Sequence, residues 1–293
     1  MGCPERDCCT HGAGNAELAF PGTFDHDTPW KFYNHLIGGI PQGIAVRDYC
    51  LGTHWSYVEA DCGMGVAFTT RGGAKHSFAQ DLRGRELREV AELSKSWCFE
   101  EASLGVAALN AWYARPELLD PLDASYDEPV ELPDGSIRKA DAFELYRPLV
   151  EAAGAAREDG GQAHVTVVGH FPHVDRIAEY ARLTVLERNC TQALDTPDPA
   201  CEYVLPKTDF AFVTGVTVIN KTAPRLLDLT KNATTVFVGP SVVMSPFLFD
   251  WGVRTLAGSV VADPEKARFA VKNGAGQFFG EALQMTYVSR PAL

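Results

Sequence analysis

Beyond Glu158-Asp159-Gly160-Gly161 the chain alternates short apolar runs with helix candidates, and this alternation restricts its fold more than any other feature. Val165 to Val168, Leu183 to Glu187, Phe210 to Thr214, Thr235 to Val238 and Leu256 to Val261 are apolar or β-branched enough to be strands. Between or after them lie helix candidates at His173 to Tyr180, Thr222 to Lys231, Pro246 to Trp251 and Pro264 to Lys272. Strands that alternate with helices form a parallel sheet with right-handed crossovers, so this half reads as a Rossmann-like α/β unit. In such sheets ligands sit in the crevice beyond the carboxyl ends of the strands.

The first of these strands, His164-Val165-Thr166-Val167-Val168, ends in Gly169-His170-Phe171-Pro172-His173. A dinucleotide fingerprint needs three spaced glycines at this turn so that a pyrophosphate can approach backbone amides. Gly169 stands there without the other two, which argues against NAD bound in the usual manner. His170 at the strand end is placed to donate a hydrogen bond, act as a base or bind a metal, or simply to cap the turn. The next strand ends in Glu187, about 18 residues after Gly169, near the spacing of a ribose-binding acid. Thr217, Asn220 and Lys221 follow the third strand, and Gly239-Pro240-Ser241 ends the fourth. Each is an ordinary loop alone, but together they line one crevice.

The upstream half is patterned differently. Thr28 and Pro29 open a helix to about Ile37 as cap and first residue. Ile44 to Leu51, Thr53 to Ala60 and Gly65 to Thr70 read as an antiparallel meander, and Arg71 to His76 as a basic, glycine-rich loop. Arg85 to Ser94 and Glu100 to Tyr113 have helical period, with Glu100 and Glu101 placed well for the helix dipole. Asn110 inside the second helix is unhelpful there unless it has a partner. Pro116 to Lys139 reads as a surface excursion, and Ala140 to Ala156 as a helix kinked at Pro148. The expected organisation is a tail over 1–27, an α+β domain over 28–158 and the α/β domain over 162–293.

A formal net charge of -12 argues against nucleic acid as a partner, since phosphate binding needs clustered Lys and Arg. No apolar run reaches the roughly 20 residues that span a bilayer. The first residues also lack an apolar leader core, so a cytoplasmic location is expected, with a homodimer as the commonest assembly. Of eight cysteines, Cys3, Cys8 and Cys9 cluster with His11 as soft metal ligands, or as part of a loose end. No G-x-S-x-G, zinc CxxC pair or HExxH is present.

Taken as an ordered set, Ser96-Trp97 through Glu101-Ala102-Ser103, Asn110-Ala111-Trp112-Tyr113, Val168-Gly169-His170-Phe171-Pro172, Asn220-Lys221-Thr222 and Gly239-Pro240-Ser241 resemble the putative heavy-metal chelation family over about residues 28 to 275. The resemblance implies an enolase-N-terminal-like domain followed by a Rossmann-like domain, with a site in the cleft between them. It assigns Glu101, Ser103 and Asn110 from the first half and His170, Glu187, Thr217 and Asn220 from the second, with Gly169, Gly239 and Ser241 lining the pocket. Glu101, His170 and Glu187 would be the ligands of iron, nickel or zinc, or of a metal-chelating small molecule. The competing reading is an enzyme that binds a nucleotide-like cofactor or small anion, with acid–base work by His170 or Glu101. Ser241-Val242-Val243-Met244-Ser245-Pro246 lacks an earlier proline expected from the family pattern.

Overall fold

The computed structural model describes residues 29–75, 81–127, 130–131, 137–138, 141–158, 160–277 and 281–290. The tail, with Cys3, Cys8, Cys9 and His11, and the cap Thr28 lie outside them.

After helix α1 (Trp30–Gly38), the strands β1 (Val46–Leu51), β2 (Trp55–Ala60) and β3 (Gly63–Phe68) form the expected antiparallel meander in the order β1-β2-β3. Helix α2 (Leu87–Ala91) tightens into a 3-10 turn over Glu92–Lys95, and α3 (Phe99–Tyr113) follows. Twelve of the fifteen residues of α3 are buried, so it is a core helix rather than a surface one. Its Ala- and Gly-rich sequence explains how neighbours come so close. A Cβ on Gly65 of β3 would lie 2.1 Å from the Ala111 nitrogen, and one on Gly105 would lie 1.9 Å from the Ser94 nitrogen.

The described part of the segment expected as a surface excursion is largely exposed or half-buried, but it anchors to both the core and the larger sheet. Helix α4 (Pro116–Leu119) buries Leu119 completely, and β4 (Ser125–Tyr126) becomes an edge strand of the larger sheet. The short pair β5 (Val130–Glu131) and β6 (Ile137–Arg138) precedes α5 (Ala142–Ala155), which runs through Pro148 without ending. Asp141 caps α5 by accepting from the Glu144 nitrogen at 2.8 Å.

The larger sheet is built from β7 (His164–Val168), β8 (Arg182–Glu187), β9 (Asp195–Pro197), β10 (Phe210–Thr214), β11 (Thr234–Val238), β12 (Val253–Val261) and β13 (Leu283–Ser289). Its order is β4-β13-β12-β11-β10-β7-β8-β9, with β7 through β12 parallel and β13 and β4 antiparallel. The first crossover is a 3-10 turn over Val174–Glu179 where a helix was expected. Helices α6 (Cys201–Val204), α7 (Val216–Ile219), α8 (Ala223–Leu229), α9 (Phe247–Asp250) and α10 (Pro264–Lys272) complete the chain.

Side chains alternate across this sheet. Val165, Val167, Phe210 and Phe212 pack with Phe143 and Tyr146 of α5 on one face. Ala211, Val213 and Phe237 join α1, α3, α7 and α8 in one core on the other. Helix α5 thus belongs by packing to the larger sheet although it precedes Glu158-Asp159-Gly160-Gly161. Among the described residues no helix is long and apolar enough to cross a membrane.

The close approach of β3 to α3 yields a stability prediction. Gly65→Ala should lower stability by about 3 kcal/mol, because backbone rather than a flexible side chain meets the new methyl group. Gly276→Ala, whose Cβ meets only the His54 ring at 3.9 Å, should stay within about 0.5 kcal/mol. Urea midpoints of the two variants decide it; equal midpoints would mean that β3 and α3 separate easily.

Candidate functional site

Viewed from β7, the parallel strands run outward in both directions: β8 and β9 on one side, β10, β11 and β12 on the other. The carboxyl ends of β7 and β10 therefore diverge at the point where doubly wound sheets bind ligands. The backbone there is shaped for close approach. Gly169 after β7 and Gly239 after β11 both have φ of +100°, which L side chains rarely adopt. The ring of Phe171 lies between these two glycines and stacks edge-on against Phe143, with ring centroids 5.5 Å apart.

His170 projects from this turn and is partly exposed. Its Nδ1 lies 3.4 Å from Oδ1 of Asp195, whose side chain is fully buried. The other Asp195 oxygen accepts from the backbone nitrogens of Thr191 and Gln192, at 2.8 Å each. Those two backbone donors, and then the nearby imidazole, hold the Asp195 carboxyl below the usual carboxylate range. Oδ1 is buried without a hydrogen-bond partner among the described residues, so it faces the imidazole as a close charge rather than as a bonded acceptor. Sequence reading missed Asp195 because β9, which carries it, is three residues long and contains Pro197. Glu187, at the end of β8, accepts the Arg188 and Asn189 nitrogens on Oε1 at 2.8 and 3.1 Å.

Several expected site residues hold backbone groups in place. Ser103 donates to the Phe99 carbonyl at 2.8 Å and accepts from the Thr70 nitrogen at 3.0 Å, which ties the loop after β3 to α3. Asn110 has the partner its position demanded: its Nδ2 donates to the Val66 carbonyl at 3.0 Å. Ser241 accepts from the Phe68 nitrogen at 2.8 Å and so links the two sheets. Thr217 donates back to the Thr214 carbonyl at 2.7 Å. Asn220 accepts through Oδ1 from the Thr222 hydroxyl at 2.6 Å and nitrogen at 3.2 Å. Glu101 is buried and accepts from the Ser96 hydroxyl at 2.7 Å.

Lys221 stands out among the residues at this edge. It is a non-glycine residue at φ of +70°, and its Nζ donates to the Ile219 carbonyl at 2.7 Å. The ammonium also lies 5.9 Å from the ring centres of both Tyr33 and Phe99. Burial pulls its pKa down from 10.5 to about 8. A desolvated cation beside the amino end of α3 is suited to an anionic group. The sequence signal for it was only a lysine between two capping residues.

These residues do not make a cage for a bare metal ion. Among the described residues no group of three His, Cys, Asp or Glu side chains is placed to hold one. Glu101 is engaged by Ser96, His170 by Asp195 and Glu187 by its own loop, so the three expected ligands sit with separate partners. What the described residues offer after the carboxyl ends of β7 and β10 is an imidazole beside a carboxylate at His170 and a cation at Lys221.

Two family models, DUF4213 and DUF364, match residues 33–113 and 152–288, and both carry the description "putative heavy-metal chelation". A crystal structure of a DUF364-family protein of unknown function from Desulfitobacterium hafniense superposes with a TM-score of 0.75 at 30% identity, covering 90% of this chain and 99% of that one. Another from Pyrococcus horikoshii has the same fold, with a TM-score of 0.66 at 22% identity over 89% of this chain and 98% of the other. An uncharacterized protein of Methanocaldococcus jannaschii is 27% identical over 254 residues, 81% of this chain and 87% of its own length.

Lys221 makes the site measurable through pH. Its folded pKa of about 8 lies below the ordinary 10.5, so the fold disfavours the charged form. Stability is therefore reduced below pH 8 and recovers as pH rises from 8 to 10.5, where the unfolded chain binds the extra proton. Lys221→Met should have a higher urea midpoint than the parent at pH 7, with a gap that closes across that window. A gap independent of pH would mean the amine titrates normally.

Proposed function

The chain belongs to the putative heavy-metal chelation family, and we propose that it binds a small anionic chelator together with its metal ion at the carboxyl edge of the larger sheet. The observation that carries this reading is the pair His170–Asp195. A carboxylate beside one ring nitrogen is a common setting for a metal-binding imidazole, and among the described residues no group of three His, Cys, Asp or Glu side chains is placed to hold an ion. The remaining ligands then come from the bound molecule. Lys221 supplies the charge complement for its anionic groups. In this role the metal is cargo, delivered or removed as a complex, and His170 closes one coordination position through Nε2. Iron, nickel and zinc all accept imidazole alongside carboxylate oxygen.

A second reading has its own support. The parallel order from β9 through β12 is the one on which nucleotides bind, and Glu187 ends the second strand, where a ribose hydroxyl acceptor belongs. Glu187 retains Oε2 for that purpose, and His170 would then serve as acid or base.

Thermal-shift and calorimetric titrations separate these readings, using full-length protein with Cys3, Cys8 and Cys9 changed to Ser so that tail thiols do not contribute. The ligands are nickel, zinc and ferric ions alone, their citrate complexes, citrate alone, and AMP or NAD. The chelate reading expects the citrate complexes to stabilise, by about 2.7 kcal/mol at 100 times the dissociation constant, and the free ions to do little. His170→Ala and Lys221→Met should each weaken the complexes tenfold or more, and Asp195→Asn should weaken them about 10- to 100-fold. Tight stoichiometric binding of free ions that survives His170→Ala would sink it. Stabilisation by AMP or NAD that is lost in Glu187→Gln would establish the nucleotide reading instead.

A further inference from the structure

A cavity of about 470 Å³ lies at the opposite end of the larger sheet from the crevice. Phe210, Thr234 and Val253, which begin β10, β11 and β12, line it, so it opens at the amino ends of the parallel strands. Helix α5 forms one wall through Tyr146 and Leu149. None of the residues assigned to the crevice reaches it.

Three features of this cavity are chemical rather than merely geometric. Its lining holds two guanidiniums, Arg254 and Arg290, and no carboxylate. Neither arginine forms an ion pair among the described residues, on a chain whose net charge is -12. The two are held together by the backbone, because the Arg290 nitrogen donates to the Arg254 carbonyl at 2.9 Å.

The other polar groups of this end are already satisfied. The Tyr146 hydroxyl lies 2.6 Å from the Thr255 hydroxyl, which lies 2.7 Å from that of Ser289. The Arg290 guanidinium donates from Nη1 to the Phe249 carbonyl at 3.5 Å, which holds it in place and leaves its other N–H groups and those of Arg254 for a ligand. The walls are the Tyr146 and Phe210 rings with Leu149 and Val253, and Leu149 is 57% exposed. A paired guanidinium mouth over apolar walls matches an organic carboxylate: the planar fork binds the carboxylate in bidentate fashion and the walls take its hydrocarbon body.

We infer that the cavity between α5 and the amino ends of β10, β11 and β12 is a second ligand site, specific for an amphiphilic monocarboxylate held by Arg254 and Arg290. The size fits a medium-chain or aromatic acid, and the site is independent of the metal chelate proposed for the crevice.

Isothermal titration with octanoate, octanol and inorganic phosphate tests it on the full chain. Octanoate should bind at one per chain, octanol at least tenfold more weakly and phosphate not measurably. Arg254→Gln, at an exposed position, should weaken octanoate tenfold or more, and Arg290→Gln should do the same with the far-ultraviolet spectrum unchanged. Saturating octanoate should also leave the response to the citrate complexes unchanged. The inference fails if octanoate does not bind, if octanol binds equally, if phosphate competes, or if the Arg254→Gln and Arg290→Gln double variant keeps full affinity. It fails too if sedimentation shows a dimer that octanoate does not perturb and whose interface includes Leu149 and Arg254, since a second copy would then cover the cavity.

Discussion

The burial of α3 on all sides is the constraint from which the rest of the architecture follows. A helix with no solvent face must meet neighbours all round, and α3 does so with small residues that let backbone approach backbone. Gly65 admits the helix to the meander, and Gly105 admits the 3-10 turn before it. Its far side joins the same apolar cluster as Val213, Phe237 and Val218 of the larger sheet and its helices. Because that cluster is continuous, the amino end of α3 is carried to the carboxyl edge of the parallel strands. Phe99 thus comes beside Lys221.

Burying α3 also explains why so many polar side chains near the crevice are structural. A buried hydroxyl or amide without a partner costs roughly 1–3 kcal/mol, which favours tying such groups to the backbone. Ser103, Asn110 and Ser241 each hold a backbone group from β3 or the loop after it. Thr217 and Asn220 do the same for the turn after β10. By contrast His170 is exposed and Glu187 and Lys221 are half-buried.

Much of the fold was legible because its signals are local. The aromatic and β-branched runs of β1 to β3 with their glycine breaks, the small apolar residues of α3 and the Pro264 start of α10 can each be read within one short window. The elements that escaped reading lack such a window. Strand β9 is three residues long with a proline, β4 is two residues long, and β13 lies on the antiparallel side of an otherwise parallel sheet. The first crossover misled in another way, since His173 adopts φ of +60° and a 3-10 turn follows it. The candidate site was legible to the same degree. His170 and Glu187 announced themselves by ending strands, whereas Asp195 is visible only as a neighbour across β8.

The amino-acid sequence by itself determined the α/β class and the net negative charge, because strand and helix patterns and net charge are local or additive properties. Tertiary structure alone decided which side chains meet. It placed the buried Asp195 against His170, desolvated Lys221 between Tyr33 and Phe99, and bonded Ser103, Asn110 and Ser241 to backbone groups. The physical reason is that these partners are joined through the order of strands in a sheet and the burial of one helix. Both are set by the packing of the whole chain rather than by any segment of it.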